Sequence, residues 1–326
     1  MNNAKKYVKL YLEVSEESFK EWGYYYPPRD WNEFEDWNNK IFREHLTHLQ
    51  DEVIKTKSYI SLFYTVNDFS FYNAFQNQDY EILNNALYQT SRQKLLATGI
   101  TASGSDHCNA LMDALLAFAC NDFKIIDHFF PKELPHSKGE FYTENSVNLI
   151  KVLYYDEADL KDEAVKNASH FLNKKITLWE KYVVLYLLAL LHRDLPQINH
   201  CLKELCVAYQ KLGKFTATKL DKCIAFPIHG LYRLAQIIDA DFFSKMTYPK
   251  HPSFLDDFEI WQKDNYYSKG KLFYVYPKEM DYLNKIIEAQ LPFVTLTKSQ
   301  NSYNKKEYKD VERFAEDLTE NVKKLL

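Results

Sequence analysis

The chain has 326 residues, and 41 Lys and Arg against 45 Asp and Glu leave a formal charge of −4, which offers no basic footprint for nucleic acid. Seven Gly and ten Pro are too few for a turn-rich β protein or for phosphate-cradling loops, and with 46% hydrophobic residues the composition points to an all-α protein with a large core. The five cysteines, Cys108, Cys120, Cys201, Cys206 and Cys223, are odd in number and form no CxxC, which argues against a disulfide framework or zinc ribbon and fits reduced thiols in a cytosol.

Reading from the start, "MNNAKKYVKLYLEV" lacks the continuous apolar stretch of a signal peptide. Val8, Leu10, Leu12 and Val14 alternate with Lys9, Tyr11 and Glu13, a strand period, with a helix through Trp22 as the alternative. Pro27 and Pro28 in "YYYPPRDW" bar helix. Beyond them Trp31, Phe34, Ile41, Phe42, Leu46, Leu49 and Val53 return at helical spacing, which predicts one long amphipathic helix capped by Asp30.

A repeated pattern follows. Asp79, Asp122, Asp159, Asp194 and Asp241 are each followed by a large apolar residue, with apolar residues four and seven positions before. Those earlier positions share one helix face, and Asp is a preferred N-cap, so each unit reads as helix, tight turn, helix. The clearest copy is "LYLLALLHRDLPQINHCLKELCVAYQKLG". Here Asp194 caps, Gln197 stands at the capping-box position, Pro196 is tolerated in the first turn, and Gly213 stops the helix. Ile198, Cys201, Leu202, Leu205 and Tyr209 form its apolar stripe. Intervals of 35 to 47 residues between the acids match helical-hairpin repeats. The apolar run Tyr182 to Leu191 covers half of the ~20 residues a membrane span needs, so it reads as a buried helix.

Beyond Asp241 prolines, aromatics and acids crowd together; Leu272 to Tyr276 reads as a short strand, and helices resume after Pro277 and from about Lys305. "TLTKSQNSYNKK" reads as a polar linker. The organisation this implies is an N-terminal helical region over 1–100, a helical-hairpin core over 101–246, and an aromatic and acidic segment with closing helices over 247–326. The fold expected is an irregular α-solenoid-like array of antiparallel hairpins, with room for a small β element near the termini.

Residues with chemical potential have plain structural readings. In "TGITASGSDHCNALMDALLAFACND", Cys108, Leu111, Leu115 and Phe118 keep helical spacing, so Ser105 or Asp106 reads as an N-cap rather than part of a nucleophilic site with Ser103 and His107. His45 and His48, beside Asp51 and Glu52, provide one fragment of a metal site where at least two are needed. His200, Cys201 and Cys206 read as a polar residue beside core thiols, and His229 after Pro227 as part of a kinked buried helix. No GxGxxG or GxxxxGK[ST] is present, so no catalytic or cofactor-binding residue is assigned. Two clusters mix acids with rings, a combination suited to a basic protein surface: Tyr154, Tyr155, Asp156 and Glu157, and Asp256, Asp257, Glu259, Trp261, Tyr266 and Tyr267.

Across residues 105 to 245, "ALLAFACNDFKIIDHF", "LYLLALLHRDLPQINHCLKEL" and "KLDKCIAFPIHGLYRLAQIIDADF" resemble the immunity protein 49 family of bacterial polymorphic toxin systems. The chain departs from that pattern at Asn121 and Arg193, where a small residue is expected before the turn acid. The resemblance implies a helical cytosolic protein, not an enzyme, that binds and neutralises a cognate toxin. It implies neither a cofactor or metal nor a nucleic-acid or membrane partner. The alternative is a tetratricopeptide-like adaptor that binds peptides or protein partners in a groove.

Overall fold

A computed structural model describes residues 2–46, 49–61, 64–101, 107–214, 216–298 and 307–326. The fold is all-α. In chain order the helices are α1 (Asn2–Trp22), α2 (Trp31–Ile41), α3 (Glu52–Ser61), α4 (Tyr64–Asn77), α5 (Tyr80–Ile100), α6 (Leu111–Ala119), α7 (Ile125–Phe129) and α8 (Tyr142–Tyr155). They continue as α9 (Ala158–Leu172), α10 (Leu178–Leu191), α11 (Leu195–Gln210), α12 (Phe226–Ile238), α13 (Ala240–Phe243), α14 (Asp256–Asp264), α15 (Asp281–Glu288) and α16 (Val311–Lys323). A short antiparallel pair, β1 (Leu296–Lys298) with β2 (Glu307–Lys309), is a small β element of the kind the sequence left room for near the termini, although β1 falls within the stretch read as a polar linker rather than at Leu272 to Tyr276. Among the described residues no helix is long and apolar enough to cross a membrane. The chain divides into two compact units, Met1–Ser105 together with Ser268–Leu326, and Asp106–Tyr267. Residues 247–267 thus pack with the second unit and 268–326 with the first, so compactness and composition divide the chain at different places.

In the first unit α1 is a helix through Trp22, the alternative that the sequence left open beside the strand its Val/Leu alternation suggests. Its buried stripe is Tyr7, Tyr11, Ser15 and Ser18, at helical spacing, while Val14 faces solvent. The stripe is polar because of what it meets. Tyr11 Oη donates to the Pro28 carbonyl (2.6 Å), Ser15 Oγ to Pro27 (2.7 Å) and Ser18 Oγ to Tyr26 (2.5 Å), satisfying three successive carbonyls of the proline loop. Rings fill the space around it, with Tyr11 on Tyr72 at 4.2 Å and Phe34 on Phe69 at 4.5 Å between centroids.

The single long helix expected after Asp30 is interrupted. Asp30 does cap α2, accepting from the Glu33 amide, but α2 gives way to a π-helical turn over Phe42–Leu46, and Asp51 caps α3 by accepting from Ile54. Leu272 to Tyr276 is not a strand: side-chain amides take the backbone hydrogen bonds that a neighbouring strand would make. Gln89 exchanges hydrogen bonds with both backbone groups of Tyr274, and Asn284 does the same for Tyr276. On α5, Gly99 lets the Phe314 ring of α16 come within 2.3 Å of where a Cβ would stand.

Helical hairpins α8/α9 and α10/α11 lie in the second unit, and α4/α5 in the first. Their turns share one device. Gln78, Asp156 and Arg193 have positive φ (56°, 53° and 56°), and the amide that follows each reaches back five residues: Asp79 to Ala74, Glu157 to Val152, Asp194 to Ala189. Asn121 (φ 65°) and Asp122 close α6 in the same way. Of the five repeated acids, Asp79, Asp122 and Asp194 close such a turn, while Glu157 takes that place in the α8/α9 hairpin, so the pattern marks the turn-closing position at three of its five copies. Asp79 and Asp194 cap α5 and α11, whereas Asp159 sits inside the first turn of α9 and Asp241 inside α13, which Asp239 caps instead. At α11 the Gln197 side chain donates to the Cys201 sulfur (3.4 Å) rather than completing a capping box.

The two most intimately packed helices of this unit are α6 and α12. A Cβ at Gly230 would stand 1.9 Å from the Leu115 carbonyl oxygen, so backbone lies directly on backbone. Pro227 occupies the first turn of α12 and starts the helix rather than kinking it, because its missing N–H is one the helix cannot pair there. Every residue of α12 from Phe226 to Ala235 is buried, including His229 and Arg233. Among the described residues Cys108, Cys120, Cys201, Cys206 and Cys223 form no disulfide, and all five are buried.

Candidate functional site

The first acid-and-ring cluster is largely satisfied by its own surroundings. Tyr154 and Tyr155 donate through their hydroxyls to Asp127 (3.5 and 3.2 Å), and burial beside that carboxylate raises both phenol pKa values. Glu157 Oε2 lies 3.2 Å from His136 Nε2 with both side chains nearly covered, while Asp156 forms the left-handed turn.

The second cluster is distributed differently. Asp256 and Asp257 are exposed in the first turn of α14, Trp261 stacks on Phe258, and Glu259 points inward. With Tyr267, Asp256 and Glu259 line an open pocket of about 510 Å³ whose other walls include Tyr232, Phe243, Tyr248, Ser244 at the rim, Lys250 and Lys263.

The chemistry at the pocket wall is set by α12. His229 Nε2 accepts from the Leu255 backbone amide (3.2 Å), so Nδ1 carries the ring proton and donates to Glu259 Oε1 at 2.6 Å. Phe254 stacks on that imidazole at 4.0 Å and fixes its plane. Glu259 is 2% exposed, and its other oxygen, Oε2, makes no hydrogen bond among the described residues. One turn beyond His229, Arg233 is fully buried and donates through Nε (3.0 Å) and Nη2 (2.8 Å) to Asn121 Oδ1. Asn121 Nδ2 donates to Gln262 Oε1 (2.6 Å), and Gln262 Nε2 to the Ala119 carbonyl (3.0 Å), so one amide network joins α6, α12 and α14. Burial lowers the Arg233 pKa, opposed by Glu259. Burial also raises the Tyr232 and Tyr248 phenols, and Glu259 adds to both shifts. The Asp256 carboxyl is raised by burial, with Asp257 and Glu259 contributing the same way and His229 and Lys250 opposing.

Two consecutive tyrosines follow α14, and the second of them, Tyr267, lines the pocket. Tyr266 (φ 55°) and Tyr267 (φ 53°) both adopt left-handed backbone, which bulky side chains rarely do. The conformation sends the two rings to opposite fates. Tyr267 covers the Arg233 guanidinium, 3.8 Å from ring centroid to Cζ, whereas Tyr266 is 92% exposed.

Sequence reading singled out Asp256, Glu259 and Tyr267 but missed Tyr232, Phe243 and Tyr248, which come from α12 and from the α13 region before α14. Only the crowding of rings after Asp241 hinted at them. The nucleophile candidates Ser103, Ser105 and Asp106, together with His48 and the side chain of His45, lie outside the described residues. Of that set, His107 and Cys108 are buried, with Cys108 Sγ 3.3 Å from Ser137 Oγ and 3.7 Å from His107 Nε2. In comparisons with known proteins, the chain matches no family model, no curated protein and no solved structure.

Proposed function

We propose that this protein is a cytoplasmic immunity protein that neutralises a cognate toxin by direct, tight binding, and that the toxin docks over the end of α14. The observation that carries the reading is Tyr266, an almost wholly exposed ring held on left-handed backbone just beyond α14 and next in sequence to Tyr267 of the pocket wall. A large aromatic presented on a rigid, strained turn suits a binding anchor, since little further ordering is needed when a partner covers it. Asp256 and Asp257 stand exposed on the same helix, where they would speed the approach of a basic partner. The sequence resemblance over residues 105 to 245 supports the same role. Neutralisation here is occupancy, not turnover.

Co-expression with the toxin encoded beside this chain is the direct test. Survival of the cells and a complex that co-elutes on a sizing column are expected, and continued killing without a complex overturns the proposal. A second reading, a helical-repeat adaptor, is favoured by the recurrence of one turn geometry at Gln78, Asn121, Asp156 and Arg193. It predicts exchangeable, micromolar binding to several partners instead of one tight complex.

A further inference from the structure

We infer that the pocket beside α14 is a receptor for a primary ammonium group, the side chain of a lysine on the partner. The argument starts at Glu259. A carboxylate accepts at both oxygens, and here Oε1 is already engaged by His229 while Oε2 has no hydrogen bond among the described residues and belongs to a residue on the pocket wall. A buried acceptor left in that state favours a ligand that brings a donor.

The walls specify which donor. Tyr232, Tyr248, Tyr267 and Phe243 present rings, and Asp256 adds a second carboxylate at the rim, a combination that attracts a cation. With one of its oxygens taken by His229, Glu259 has no free pair to meet the planar fork of an arginine, and the guanidinium place against Tyr267 is held by the protein's own Arg233. An ammonium needs only single acceptors, and the pocket wall offers carboxylates for that purpose at Glu259 and Asp256. Lys250 and Lys263 are exposed residues of the same wall, Lys250 acts on Asp256 and the buried Arg233 on Glu259, so these cations oppose the attraction, and the rings with the unpaired Glu259 oxygen set the preference for an ammonium.

That the ammonium belongs to a partner rests on the neutralising role proposed above; the selectivity of the pocket does not, and the experiment separates the two. The full-length protein is titrated with N-acetyl-lysine methylamide, N-acetyl-arginine methylamide and N-acetyl-norleucine methylamide, with binding followed by amide chemical shifts. The lysine probe is expected to bind about tenfold more tightly than the other two. Glu259→Gln keeps an oxygen for His229 while removing the carboxylate charge and replacing the unpaired acceptor by an amide nitrogen, and Ser244→Trp adds an indole at an exposed position of the pocket wall; each is expected to abolish that preference. Equal binding of the lysine and norleucine probes, or an unchanged lysine preference in both variants, overturns the inference. If the lysine probe binds as expected but no co-encoded toxin associates, the pocket chemistry stands and the neutralising role falls. If a toxin associates and the wild-type protein shows no lysine preference, the reverse holds.

Discussion

Asn121 accepts two hydrogen bonds from Arg233, a residue 112 positions further along the chain, while holding left-handed backbone at the turn that closes α6. One side chain thus serves the turn, the buried guanidinium and, through Gln262, α14. Asn121→Gly keeps the backbone conformation but leaves Arg233 without its main acceptor, and is expected to destabilise the protein by about 2–4 kcal/mol. Asn121→Ala adds the strain of a Cβ at positive φ and should be less stable again by about 1 kcal/mol. Urea unfolding of the three proteins checks the order. Equal midpoints for wild type and Asn121→Gly would show that the network contributes nothing.

The contact between Gly230 and the Leu115 carbonyl gives a sharper expectation. Alanine is the better helix former by about 1 kcal/mol, yet at Gly230 its methyl would force α12 away from α6, so Gly230→Ala is expected to lower stability by about 2–3 kcal/mol overall. Gly213 is the control. A Cβ there meets nothing within 4 Å among the described residues, and Gly213→Ala should be neutral or stabilising by up to about 1 kcal/mol. Thermal melts of the pair suffice, and a stabilising Gly230→Ala would contradict the backbone contact.

These two positions also show where sequence reading succeeds and stops. Apolar spacing and acid caps reveal local order, which is why α10, α11 and the α5 cap were legible. The departure noted at Asn121 and Arg193 was legible too, but its reason was not. Asn121 reaches α12 and α14, and Arg193 reaches back to the Leu190 carbonyl (2.7 Å) and across to Asp239 (2.9 Å), partners that sequence spacing does not reveal. The two readings left open for α1, a strand or a helix through Trp22, have a similar cause. An inward face of tyrosine and serine looks polar until the proline loop that takes its hydrogen bonds is in place. Half of the pocket was hidden for the same reason, since Tyr232 and Glu259 belong to different helices brought together by packing.

Burial pushes the Cys201 thiol up to about 11 and the Cys206 thiol up to about 12, above the ordinary value near 8.5 in an unfolded chain. The folded state therefore keeps two protons that the unfolded state releases. Their contribution is complete below about pH 8.5 and is lost as pH rises through about 9 to 12. Melting temperature should fall over the lower part of that window, before the buried tyrosines begin to matter, and Cys201→Ala with Cys206→Ala should start less stable but decline less steeply. The same burial predicts that these thiols stay unreactive toward a disulfide reagent at pH 8 until the protein is unfolded. An identical alkaline slope in the double variant would remove the assignment.

Tyr266 separates folding from recognition. Its ring is 92% exposed and its backbone is left-handed, so the fold gains little from the side chain and bears the cost of the conformation. Tyr266→Gly is expected to raise stability, by up to about 1 kcal/mol, because glycine adopts positive φ without a Cβ penalty. If the ring anchors a partner, the same variant should bind the toxin at least about tenfold more weakly, a loss of about 1.4 kcal/mol or more. Stability and binding thus move in opposite directions, a result that general damage to the fold does not produce. Calorimetric melting paired with a binding titration against the co-encoded toxin decides it, and a variant that is both more stable and fully protective would place the docking surface away from the end of α14.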